Sequence, residues 1–101
     1  MILESAQLCV KEENQTDFER DFKIASKYIC TIDGYKGHTL HKCLEDSGKY
    51  LLLVQWEKLE DHTIGFRQSE GYLKWKELLH HYYDPFPVVE YYQKVFESDL
   101  A

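Results

Sequence analysis

The stretch YLLLVQW, residues 50–56, is apolar at both parities. Successive side chains of an extended chain point to opposite sides, so Tyr50, Leu52, Val54 and Trp56 face one way and Leu51 and Leu53 the other. A strand of this kind is buried on both faces of its sheet. Something must therefore cover it both above and below.

Residues 31–57, TIDGYKGHTLHKCLEDSGKYLLLVQWE, read as a hairpin, because Asp33-Gly34 stops the preceding segment and Asp46-Ser47-Gly48 supplies the turn. Its strands run from about 35 to 44 and from 49 to 57. Before it, residues 2–11 alternate loosely around Ile2, Leu3, Leu8 and Val10 and suit a first strand. Thr16 with Glu19 has the form of a capping box, and Phe18, Phe22, Ala25 and Ile29 recur at helical spacing, which predicts a helix from about 15 to 30.

Beyond the hairpin, Leu59, His62, Thr63 and Phe66 share one helical face, Gln68 to Gly71 interrupts near Ser69, and Tyr72, Trp75, Leu79 and Tyr82 resume the period. Pro85 and Pro87 end the helical region, and VVEYYQKVF, residues 88–96, is dense in β-formers and reads as the last strand. The order βαββαβ is the ferredoxin-like split arrangement, an α+β fold with an antiparallel sheet.

Right-handed crossovers put both helices on one side of such a sheet, which leaves Leu51 and Leu53 uncovered. Leaving such side chains in water forgoes roughly 1.5 to 3 kcal/mol each, against a total stability of about 5 to 15 kcal/mol. A second copy packed sheet to sheet is the expected cover, hence a homodimer. The alternative is that both leucines are ordinary surface apolar residues.

With 101 residues, 44% of them hydrophobic and 15% aromatic, the chain is one domain with its core at about 2–96. A net charge of −6 without a Lys/Arg block argues against nucleic acid as a partner. No run reaches the roughly 18 to 20 apolar residues of a membrane span, and no secretory signal is evident, so a cytoplasmic protein is expected. Cys9, Cys30 and Cys43 form no C-x-x-C and read as buried reduced thiols, with no metal site expected.

Histidine is the natural candidate for proton chemistry near neutral pH. His38 and His41 lie on opposite faces of a predicted strand, so one pocket sees only one of them. His80 and His81 sit at a helix end, where they interact well with the helix dipole. His62 shares a face with Phe66 and Leu59; on the residues alone it reads as a satisfied core or helix-start histidine, and Trp75, Tyr72 and Phe66 as core aromatics.

Taken together, GYKGHTLHKCLED, YLLLVQWEKLEDHTIGFRQSEGYLKWKELL and DPFPVVEYY resemble the antibiotic biosynthesis monooxygenase family, from about Ile2 to Val95. The most specific part is the aromatic strand end followed by L-E-D-H-T-x-G-F-R-x-S. The resemblance implies a dimeric α/β barrel with a pocket between helices and sheet in each subunit. Some members oxidise phenols or quinols with dioxygen as co-substrate and no metal or flavin cofactor.

On that basis His62 and His38 are the candidate proton acceptors, while Phe66, Tyr72, Trp75 and Trp56 line the site for a small aromatic substrate. Arg67 is placed either to stabilise an anion or in a surface ion pair. A haem-degrading branch uses an asparagine, a tryptophan and a histidine ligand at the positions of Ala6, Phe66 and Lys76. These departures disfavour that chemistry, because lysine has to lose its proton to bind iron, although His80 or His81 could substitute. A non-catalytic dimeric binding module keeps the same fold and is the third reading.

Overall fold

The computed structural model describes residues 1–99. Strand β1 spans Ile2–Cys9, helix α1 Gln15–Ile29, β2 Tyr35–Lys42, β3 Lys49–Trp56, α2 Glu70–Leu79 and β4 Val89–Gln93. The four strands form one antiparallel sheet in the order β2-β3-β1-β4, which is the ferredoxin-like α+β topology.

The parity of the central strands sets the core. Ala6 and Leu8 of β1 and Tyr50, Leu52, Val54 and Trp56 of β3 are buried on the face that carries the helices. Phe18, Phe22, Ala25 and Ile29 meet them from α1, and Trp75 and Leu79 from α2. On the other face Leu51 and Leu53 are half-buried in the single chain. Register places Leu53 between Ser5 and Thr39, and Leu3 between Gln55 and Tyr92, so this face mixes apolar and polar rows.

Helix α2 approaches α1 closely at Gly71. A Cβ there would lie 2.7 Å from the Tyr28 carbonyl oxygen, closer than side-chain carbons pack, so glycine permits the contact. Ser69 caps the same helix by accepting a hydrogen bond from the Tyr72 N–H at 3.1 Å. The interruption expected at Ser69 is thus the true start of α2.

Several local expectations are corrected. The Thr16–Glu19 capping box does not form, because a short 3-10 turn over Glu12–Asn14 moves the helix start to Asn14 and leaves Thr16 inside the helix. Glu19 instead accepts from the Tyr50 hydroxyl at 2.5 Å. The last strand ends at Gln93 rather than at 96, since its ladder with β1 stops at the Ile2–Gln93 pair. Cys30 caps α1 and is exposed, and Cys9 and Cys43 are half-buried, so the thiols are not the buried set expected.

The segment before α2 departs most from expectation. Asp61–Phe66 winds as a π-helical turn, with the Arg67 N–H bonded to the His62 carbonyl at 3.1 Å. This wider winding breaks the 3.6-residue period, and Leu59 becomes exposed instead of sharing the inward face with His62 and Phe66. Among the described residues no helix is long and apolar enough to cross a membrane.

Candidate functional site

Strand β1 alternates, and its third residue, Glu4, has the same parity as Ala6 and Leu8 and so points into the core. It is 5% exposed, and it lies opposite Tyr91 of β4 and Val54 of β3. Burying a carboxyl is costly unless it is hydrogen-bonded. The Trp56 indole N–H donates to Glu4 Oε1 at 2.9 Å, and His62 Nε2 approaches the same oxygen at 3.5 Å.

The π-helical turn lowers His62 over this cross-strand pair. The imidazole is 4% exposed, and its Nδ1 lies 2.6 Å from the Tyr91 hydroxyl. Both ring nitrogens are therefore engaged. The ring stacks obliquely against Trp56, with centroids 5.4 Å apart, and against Phe66 at 6.0 Å.

Burial dominates the electrostatics. It raises the Glu4 carboxyl above its ordinary range, against the Trp56 hydrogen bond and the Arg67 charge, which pull the other way. It lowers His62 to about 4, with the nearby Arg67 guanidinium adding to the effect. His62 is therefore uncharged at neutral pH, and its 3.5 Å approach to Glu4 is not an ion pair there. Burial also raises the Tyr91 hydroxyl.

A pocket of about 70 Å³ lies beside this network and is open at a rim that includes Arg67 and Phe86. Glu4, His62 and Arg67 form its polar part, and Phe66, Tyr72 and Trp75 form an aromatic wall. Phe66 sits edge-on to Tyr72 and Trp75 at 5.2 and 5.7 Å between centroids, so the wall is interlocked rather than loose. His80 also lines the pocket, stacked edge-on against Tyr72 and Phe86. Burial lowers its pKa, which disfavours the cationic form that interacts with the dipole of α2.

Of the residues singled out from sequence, the structure brings His62, Phe66, Tyr72 and Trp75 together on this pocket, with Trp56 behind Glu4. His38 is elsewhere. It lies between α1 and β2, hydrogen-bonded through Nε2 to Ser26 Oγ at 2.9 Å and through Nδ1 to the Tyr35 hydroxyl, and it lines a separate groove with Phe22 and Lys23. His41 is exposed on the opposite face, and His81 stacks on Tyr82 at 4.1 Å. Arg67 is at the pocket and, among the described residues, makes no ion pair.

Glu4 and Tyr91 were not singled out from the sequence. The available signal was parity: a lone acid in phase with Ala6 and Leu8, and a tyrosine in phase with Val89.

Comparison with known proteins follows the same lines. The sequence model described as antibiotic biosynthesis monooxygenase matches residues 1–78. The uncharacterized protein YczJ of Bacillus subtilis (strain 168) is 52% identical over 95 residues, covering 94% of this chain and 100% of the relative. A solved structure from Bordetella bronchiseptica that bears the antibiotic biosynthesis monooxygenase name is 32% identical, with a TM-score of 0.89 over 94% of this chain and 97% of that one. SnoaB of Streptomyces nogalater, a cofactor-independent oxygenase, shares the fold at 15% identity and a TM-score of 0.71 over 98% of this chain and 95% of that one.

Proposed function

The chain belongs to the antibiotic biosynthesis monooxygenase family, and from that premise we propose that it oxidises a small phenol or quinol with dioxygen and without a metal or organic cofactor. The observation that carries this reading is the pocket in which Glu4 and His62 converge beside an aromatic wall. Such a site binds a flat ring, removes its hydroxyl proton and keeps water from the electron-rich anion. The anion then supplies every electron: one oxygen atom enters the ring as a quinone carbonyl, and the other leaves as water.

The free volume narrows the substrate. A cavity that accepts benzene is about 150 Å³, larger than the 70 Å³ found here. A single ring enters if exposed side chains at the rim swing aside, and Phe86, 62% exposed, and Arg67 are placed to do so. A polycyclic substrate or a haem requires a much larger rearrangement.

The half-buried Leu51 and Leu53 support a homodimer packed through the open sheet face as the working assembly. A second reading, a non-catalytic dimeric binding module, is favoured by the small volume alone. Oxygen uptake with a panel of one-ring hydroquinones and phenols tests both. Uptake by the parent and its loss in His62→Ala support the enzyme, with His38→Ala expected to keep the parent rate. Binding of a ring without uptake favours the module, and equal rates in all three proteins exclude the histidines as bases. Haemin titration should leave the Soret band unshifted.

A further inference from the structure

We propose that Glu4, not His62, is the group that takes the substrate's proton, and that His62 and Tyr91 are positioning residues that hold its carboxyl in place. The inference rests on the functional reading above and assigns roles to Glu4 and Tyr91, which the sequence reading did not single out.

The argument is geometric. Both nitrogens of His62 face protein groups, Nδ1 the Tyr91 hydroxyl at 2.6 Å and Nε2 the Glu4 carboxyl at 3.5 Å. A substrate that used either nitrogen would have to displace a buried partner, which costs about 1 to 3 kcal/mol for each group left unpaired. Glu4 lines the pocket, and the known contacts of its carboxyl, with Trp56 and His62, fall on one oxygen, Oε1. A carboxylate has acceptor sites on both oxygens, so Glu4 can keep these contacts and still receive a hydroxyl.

The arrangement has the logic of a base oriented by a second group and a third group orienting the second. Tyr91 fixes the imidazole from β4, and the imidazole and indole fix the carboxyl. In the step itself the substrate O–H bond breaks, an O–H bond forms on Glu4, and the negative charge passes to the ring oxygen. Arg67 is the cation on the pocket that faces this charge, and the other titratable groups lining it are His62, Tyr72, His80 and Tyr83, with Tyr91 behind His62. Burial raises Glu4, which strengthens its carboxylate as a base.

The test uses 4-nitrophenol, which absorbs in the visible only as its anion, with the parent, Glu4→Gln, His62→Gln and Tyr91→Phe proteins. Glutamine retains an oxygen to accept from Trp56, so Glu4→Gln keeps the packing of the site. Just below the probe's ionisation midpoint in water, the bound anion band should appear with the parent and be absent with Glu4→Gln. His62→Gln and Tyr91→Phe should keep the band with its pH midpoint displaced. With an oxidised substrate, Glu4→Gln should lower kcat/KM by about 10²- to 10⁴-fold.

A band retained in Glu4→Gln and lost in His62→Gln would overturn the assignment, as would a parent spectrum identical to that of the free probe. A Glu4-dependent band without oxygen uptake on any phenol would uphold Glu4 and refute the oxidation reading.

Discussion

Trp56 and Glu4, 52 residues apart in sequence, are joined by a 2.9 Å hydrogen bond from indole to carboxyl in the core of the protein. The bond crosses from β3 to β1 and gives a buried acid its one close hydrogen-bond donor, with the His62 imidazole at 3.5 Å from the same oxygen. Trp56→Phe keeps the ring packing but removes this donor. A buried acceptor that loses its partner costs about 1 to 3 kcal/mol, so urea denaturation should show a loss of that size. Trp56→Phe combined with Glu4→Leu, which removes both partners, should recover part of it.

Stability should depend on pH through His62. Its folded pKa of about 4 lies below the unfolded value of 6.5, so in acid the unfolded chain binds a proton that the folded chain refuses. Stability is therefore full above about 6.5 and falls as pH drops toward about 4, by an amount on the order of 3 kcal/mol. Glu4, raised by burial, opposes this trend, because its protonation favours the folded state. Denaturation series across this range should show a steeper acid loss in the parent than in His62→Gln.

Gly71→Ala places a methyl group 2.7 Å from the Tyr28 carbonyl oxygen. That atom is backbone and cannot rotate away, so α2 must shift from α1. Overpacking of this kind costs about 1 to 3 kcal/mol. The expected outcome is a lower melting temperature by calorimetry, together with a change in near-UV dichroism from the displaced Trp75.

Leu53→Lys tests the assembly. On the open face the lysine would stand between Ser5 and Thr39, where a monomer tolerates it at little cost. Sedimentation should find the parent as a dimer and the variant as a folded monomer. A parent that sediments as a monomer would remove the sheet-to-sheet assembly from the functional reading.

The fold was legible because the alternation of β1 and β3 and the turn at Asp46 to Gly48 each state their element locally. Register then followed from which side chains had to be buried. The site was legible only in part. His62 and Phe66 lie four apart and read as one α-helical face, yet the turn that carries them is π-wound, and spacing of apolar residues does not encode winding. Glu4 was hidden for another reason: a lone acid in a strand is ordinarily solvent-facing, and the partners that make its burial tolerable, Trp56 and His62, come from elements distant in sequence. Thr16 shows the same limit at a helix start, since a preceding turn decided the cap.

A π-turn carries one residue more than an α-turn, so the Asp61–Phe66 turn is longer by that residue than an α-helical path would be. Deleting Gly65 should let the segment rewind as ordinary α-helix and swing the imidazole away from β4 while leaving the sheet and both long helices unchanged. If the proposed oxidation holds, the shortened protein would be its inactive control with native architecture, separating what the molecule needs in order to exist from what it needs in order to act.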